Sequence, residues 1–353
     1  LEYGSHGSHA ALFAREMGLP CISGLTDLVA TAPDGVLALV DADEGTVAIR
    51  PDKDQRTDFR TKVARKERVD RLAREHARGP ALTRNGALIP VLANVGCEED
   101  TRIAMENGAD GVGLYRIEQA YFARLEPPGA AELFEEMHQT LEPAKGKGVC
   151  VRLLDIGADK PLPFLKFMAE SNPSLGRRGV RLLREYPELL DTQLRTILKL
   201  SEEFDIRILV PMVTLPADMA HVRERLSVLA SEMPVTSLPE LGAMIETPAA
   251  ALSASELAAH SDFLSFGTND LTQYTCAADR ENAAVERYFD DTAEAIFRLM
   301  QITREDVPGM PLSLCGELAG HPEHTARLLE CGIGTFSVAP PLIPAVKEAI
   351  RNV

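Results

Sequence analysis

No apolar run in this 353-residue chain approaches the ~20 residues a helix needs to cross a bilayer, and its start lacks a basic stretch followed by an apolar one. The expectation is a soluble, cytoplasmic protein with no membrane partner. Positive charge is also in short supply: 37 Lys and Arg stand against 53 Asp and Glu, for a net charge of −16. A general binder of phosphate backbones is excluded on that balance, so nucleic acid is not an expected partner and any anionic ligand has to be met by local arginines. The six cysteines form no CxxC and no Cys/His pairing at zinc spacing, which argues against a disulfide framework or a structural zinc and for reduced thiols. Five of them, Cys21, Cys97, Cys150, Cys276 and Cys331, are expected to be small buried apolar residues. No short repeat suggests a solenoid.

What the chain does have is regular alternation. From Ala87 onward, helix-length segments separate short apolar runs at 89–95, 111–115, 149–155, 208–213, 241–245, 262–266, 311–315 and 335–339. Eight such units predict a (β/α)8 TIM barrel, a fold that occupies about 250 residues. Ahead of it, residues 8–17 predict a helix ended by Gly18, and residues 35–50 two strands around an acidic turn. That piece buries too little to stand alone. Residues 51–78 are charge-rich and predict a solvated linker helix closed by Gly79 and Pro80. A Gly- and Pro-containing insertion between Asp155 and Gly179 is expected to lie over the catalytic end of the barrel.

The chemistry-bearing residues gather at strand ends. Glu246 follows the run LGAMI and Asp270 follows DFLSF, so two carboxylates should leave neighbouring strands at the same end. Two hard oxygen ligands with room for substrate and water suit Mg2+, with Mn2+ as an alternative. Arg116 and Asn269 follow predicted strands, Arg152 sits within one and Cys315 ends one, all near the carboxyl ends, the face on which barrels assemble their sites. Arginine forks next to a metal suit a small phosphorylated anion. A strand-end thiol can exchange a proton. Near the start, GSHGSHAA places His9 at a helix N-terminus, where an imidazole could accept a phosphoryl group. Taken singly, each of these residues reads first as a cap, a surface ion pair or a buried apolar group.

Together the stretches GVGLYRIE, VRLLDIGADKPLP, NPSLGRRGVRLL, MIETPAAAL, FGTNDLTQYTCAADREN and CGELAG, in this order, resemble the enzyme I family of the bacterial phosphoenolpyruvate (PEP)-dependent sugar phosphotransferase system, within the wider PEP-utilising enzymes. The resemblance implies residues 1–50 as the C-terminal part of a phosphohistidine swivelling domain, 51–80 as a linker helix, and 81–353 as a PEP-binding barrel. It further implies Glu246 and Asp270 on Mg2+, Arg116 and Arg152 on the PEP phosphate, and Asn269 and Arg280 positioning substrate. Arg178 and Lys160 would border the site, Cys315 would protonate the enolate of pyruvate, and His9 would carry the phosphoryl group. The implied reaction passes that group from PEP to His9 and on to a histidine of the phosphocarrier HPr, in a homodimer built through the barrel. The half of the swivelling domain that usually precedes His9, and the HPr-binding helices, are expected to lie outside this chain, leaving mainly PEP and Mg2+ binding and dimerisation. Two stretches depart from the family: GSHGSH stands where GG-x-TSH is usual, and RYFDDTAEA where YDPxHPA is usual. A pyruvate phosphate dikinase or PEP synthase fragment, and a non-catalytic PEP-sensing module, are the competing readings.

Overall fold

Short, predominantly apolar strands have to be covered on both faces, and the chain meets that demand by closing them into a ring. The computed structural model describes Glu2, Ala14 and residues 19–122, 124–157, 162–165 and 170–353. Strands β1 (Ala38–Asp41) and β2 (Thr46–Ile49) form an antiparallel hairpin, Ala38 opposite Ile49 and Asp41 opposite Thr46. The barrel strands are β3 (Val91–Val95), β4 (Val112–Arg116), β5 (Gly148–Arg152), β6 (Asp205–Val210), β7 (Glu240–Ile245), β8 (Phe263–Phe266), β9 (Leu312–Leu314) and β10 (Thr335–Val338). All pair in parallel, and β10 closes onto β3 through Phe336 opposite Val91. Each of the eight predicted runs thus becomes a barrel strand, with boundaries moved by up to a few residues. The run read as 208–213 is strand Asp205–Val210, because its first residues reach the amino-terminal rim, where Arg207 and Glu240 pair at 2.9 Å.

The main core lies between strands and surrounding helices. Val91, Ala93 and Val95 on β3, Leu264 and Phe266 on β8, and Phe297, Val346 and Ile350 on outer helices belong to it. Between hairpin and barrel runs the helix Lys53–His76, started by a capping box in which Asp52 accepts from the Gln55 amide at 2.8 Å and the Gln55 side chain accepts from the Asp52 amide at 2.9 Å. Ala73 is its sole buried residue, as the charge-rich sequence foretells. The last helix, Ile343–Arg351, grips the end of this linker. Arg351 donates to the carbonyls of His76 at 2.9 Å and Gly79 at 3.0 Å, and the fully buried Lys347 ammonium pairs with Asp110 at 2.7 Å.

No described helix is long and apolar enough to cross a membrane. The cysteine expectation needs correction. Cys150, Cys315 and Cys331 are buried, but Cys21, Cys97 and Cys276 are only partly so. Cys97 precedes the first helical turn at Glu98 and Cys276 is the last residue of the helix Thr268–Cys276; element ends are positions that the core covers on one side at most.

Candidate active site at the carboxyl end of the barrel

Side chains alternate between the two faces of a strand, so a residue two positions beyond an inward-facing one also faces inward. Leu114, Cys150, Leu209, Met244, Phe263 and Cys315 form a buried cluster separate from the strand–helix core, which marks the inside of the barrel. Two residues further along, Leu114 leads to Arg116, Cys150 to Arg152 and Met244 to Glu246. Charged groups therefore stand on a dry apolar floor, with Arg116 directly across from Arg152 in the strand register.

Glu246 is 2% exposed, and its Oε2 accepts from the Met212 amide at 2.7 Å. Gly267 allows that placement, since a Cβ there would stand 2.8 Å from the Glu246 Cγ. Asp270 comes from the first turn of the helix Thr268–Cys276, immediately after β8. A third carboxylate, Asp155, joins them from the loop after β5; one oxygen from each of Asp155, Glu246 and Asp270 lies within 4.8 Å of the others. Arg178 sits among the three. It donates to Asp155 at 2.8 and 3.2 Å, to Asp270 at 2.9 and 3.2 Å, and to the Tyr274 hydroxyl at 3.1 Å. The following residue, Gly179, has φ of +54°, and a Cβ on it would lie 2.8 Å from that of Met212. Glycine is required there on both counts, and the backbone that carries Arg178 is held close against the end of β6.

Arg152 pairs with Glu118 at 2.7 Å and Asp155 at 3.3 Å, and the same Glu118 oxygen accepts from the Asp155 amide at 2.9 Å. Among the described residues Arg152 Nε and Glu118 Oε2 are buried without a hydrogen-bond partner, a donor and an acceptor in reserve. Arg280 approaches Asp270 at 4.0 Å. Asn269 accepts from the Glu317 amide at 2.9 Å, tying the loop after β8 to that after β9. The Cys315 thiol is 3.5 Å from the Ser265 hydroxyl, which donates to it, and 3.5 Å from the Phe266 carbonyl. Asn94 holds the Cys315 carbonyl at 3.1 Å.

These surroundings set three different ionisation states. Burial alone would raise the Asp155 carboxyl, but the Arg178 and Arg152 charges outweigh it and hold it at about 2. Glu246 goes the other way: burial, followed by the negative charges of Asp270 and Asp155, pushes it up to about 8. Burial raises the Cys315 thiol to about 11, with the Ser265 hydrogen bond opposing. At neutral pH that thiol keeps its proton.

Of the residues singled out from sequence, the structure brings Arg152, Arg178, Glu246, Asp270 and Arg280 into one charged constellation, flanked by Arg116, Asn269 and Cys315 at adjacent strand ends. His9 and Lys160 lie outside the described residues. Asp155 and Glu118 were not anticipated as site residues, although both lie inside the quoted motifs. The donor set fits a hard divalent cation: three carboxylates near one point favour Mg2+ or Mn2+ over a metal that prefers nitrogen or sulfur.

A closed parallel barrel with carboxylates and arginines crowding its carboxyl-terminal mouth defines a class, the (β/α)8 barrels that gather their charged groups at the strand ends. Within that class the assignment is direct: the PEP-binding domain of PEP-utilising enzymes matches residues 70–353, the mobile domain of the same enzymes matches residues 1–45, and the chain belongs to this family. It is 37% identical over 99% of its length to the phosphoenolpyruvate-protein phosphotransferase of Haloferax volcanii, covering 62% of that protein. The protein of the same name from Geobacillus stearothermophilus is 36% identical over 98% of this chain and is covered to 61%. Multiphosphoryl transfer protein 2 of Escherichia coli is 33% identical over the whole chain, which spans 43% of it. The chain thus spans about three fifths of the phosphotransferases it matches.

Proposed function

We propose that the barrel mouth binds PEP together with Mg2+ or Mn2+, and that the phosphoryl group passes from PEP to His9 and then to a histidine of the phosphocarrier HPr. The observation that carries this reading is the buried trio Asp155, Glu246 and Asp270 interleaved with Arg152, Arg178 and Arg280. Negative and positive groups so arranged can hold a cation and a multiply charged anion at once. Family membership and the names of the relatives point the same way. In this reading residues 1–50 are part of the swivelling domain, 51–80 the linker, and 81–353 the PEP-binding barrel, which also forms the homodimer.

Glu246 and Asp270, with Asp155 beside them, would hold the metal, whose charge would offset that developing on the ester oxygen of PEP as it becomes the enolate. Arg116 and Arg152 offer planar forks to the phosphate. Lys160 would border the site, with Asn269 and Arg280 orienting the substrate. As the P–O bond of PEP breaks, a P–N bond forms to His9, and the bonding pair left on oxygen makes the pyruvate enolate. Cys315 then gives its proton to the methylene carbon, and solvent restores the thiol. A thiol raised to about 11 is a donor that does not ionise beforehand.

Calorimetric titration of PEP into the chain with Mg2+ tests the site. E246A and D270A should each weaken PEP binding by at least about 100-fold, and C315A should leave it within about threefold while abolishing pyruvate release in a phosphotransfer-competent chain. Unchanged affinity in E246A and D270A would remove the metal assignment.

A further inference from the structure

We infer that Arg178 acts as a built-in stand-in for the cation and sets the order in which the site fills, so that the divalent metal enters together with PEP rather than ahead of it. This rests on the PEP and metal reading above and concerns how that site is regulated. The argument begins with lone pairs. All four oxygens of Asp155 and Asp270, two of the three carboxylates grouped at the mouth, accept hydrogen bonds from the Arg178 guanidinium, and Glu246 gives Oε2 to the Met212 amide. A metal drawing on this trio has to take oxygens that the guanidinium holds. It would also stand against a fixed like charge in a buried place, where repulsion is poorly screened.

Neighbouring arginines do not share the task. Arg152 is committed to Glu118 at 2.7 Å and reaches only one Asp155 oxygen, at 3.3 Å, while Arg280 comes no nearer to Asp270 than 4.0 Å. PEP resolves the competition because it brings phosphate and carboxylate oxygens that accept a guanidinium fork as well as Asp155 and Asp270 do. When Arg178 turns to them, the two aspartates are released to the cation. The backbone need not move: Gly179 stays against Met212, and the side chain alone exchanges partners. Metal and PEP then strengthen each other's binding by the same factor, with Arg178 as the coupling element.

The probe is Mn2+ alone, titrated into the full chain and followed by electron paramagnetic resonance of the free ion. Wild type should bind Mn2+ weakly without PEP and at least about tenfold more tightly with saturating PEP. R178Q, which leaves the carboxylates without their guanidinium, should bind Mn2+ in the absence of PEP at least about tenfold more tightly than wild type. R178K keeps a charge but loses the fork, so it should shift in the same direction by a smaller factor, and it serves if R178Q does not fold. Wild type binding Mn2+ equally with and without PEP, or Mn2+ affinity unchanged in both variants, would overturn the role of Arg178 and leave the metal site standing. Absence of Mn2+ binding to wild type at any PEP concentration would overturn the metal reading and this inference with it.

Discussion

The hairpin and the barrel are built from strands of similar length, four residues each in β1 and β2 and three to six in the barrel, yet they are held by different forces. Every residue of β8 is buried and none of β1 is. Length does not separate them; what covers the second face does. Barrel strands have their neighbours on both edges, side chains packed inside and helices outside. The hairpin has one edge pairing, and the linker helix meets it through surface charges, Lys62 with the partly buried Asp41 at 2.5 Å and Lys66 with Asp43 at 2.6 Å. No described residue before Ala81 belongs to the main core. Burial should therefore govern one region and ionic conditions the other.

The largest effect should come from opening the barrel wall. Phe336, fully buried on β10, should cost about 3–5 kcal/mol on replacement by alanine, whereas the half-exposed Leu37 beside β1 should cost within about 0.5 kcal/mol. Urea unfolding of F336A and L37A reads this directly. Equal shifts in midpoint would mean that hairpin and barrel unfold as one packed unit.

pH comes next, and two carboxyls of the mouth should act in opposite directions. Asp155, held at about 2 against about 3.9 in an unfolded chain, contributes stability that is present above pH 4 and lost as pH falls toward 2. Glu246, raised to about 8, opposes the fold once the unfolded carboxyl ionises near 4.3, so metal-free protein should become more stable as pH drops from 8 to 5. Melting curves of D155N should lose the acid limb below pH 4, and those of E246Q the slope between pH 5 and 8. Were E246Q to melt with the wild-type slope in that window, the raised carboxyl would be wrong.

How much of this was legible in the chain depended on whether the physics was local. The eight strands stood out because a doubly covered strand is mostly apolar over consecutive positions, as LGAMI is. Arg116 and Glu246 stood out because each follows such a run, Arg152 because it interrupts one, and Cys315 because it ends one. Asp155 closes the run 149–155 and Glu118 lies two residues past Arg116, but the importance of Asp155 comes from Arg178, 23 positions away, and that of Glu118 from Arg152, 34 positions away, and neither partner is local in sequence. Strand parity offers a partial signal, since an inward arginine at the mouth needs a nearby carboxylate, and the acids just past the two inward arginines are Glu118, two residues after Arg116, and Asp155, three after Arg152; both are partners of Arg152. The central position of Arg178 had no local signal apart from the glycine that follows it. The cysteines were misjudged where burial was inferred from residue type instead of from position within an element.

A smaller effect separates the thiols. Cys315 should resist iodoacetamide at pH 7 and become reactive only as pH approaches about 11, while Cys21, half-buried and outside the barrel, should be alkylated first. Peptide mass spectrometry across pH orders them, and early labelling of Cys315 would contradict its protonated state. The smallest effect is at the hairpin. K62Q, or added salt, should speed amide exchange in β1 and β2 without moving the global unfolding midpoint. Loss of global stability in K62Q would erase the contrast between the two regions.

The grip of Arg351 and Lys347 on the end of the linker has a mechanical consequence. A helix of 24 residues is about 36 Å long, and this one is bolted at its base to the barrel's last helix. It is a lever arm with a fixed pivot. Its other tip meets the hairpin at Arg50, a non-glycine residue with φ of +53° whose amide bonds to the Leu37 carbonyl at 3.0 Å. Any change in the aim of the hairpin relative to the barrel mouth has to be taken up at that joint, and the Lys62 and Lys66 ion pairs are the ratchet teeth it would slip past.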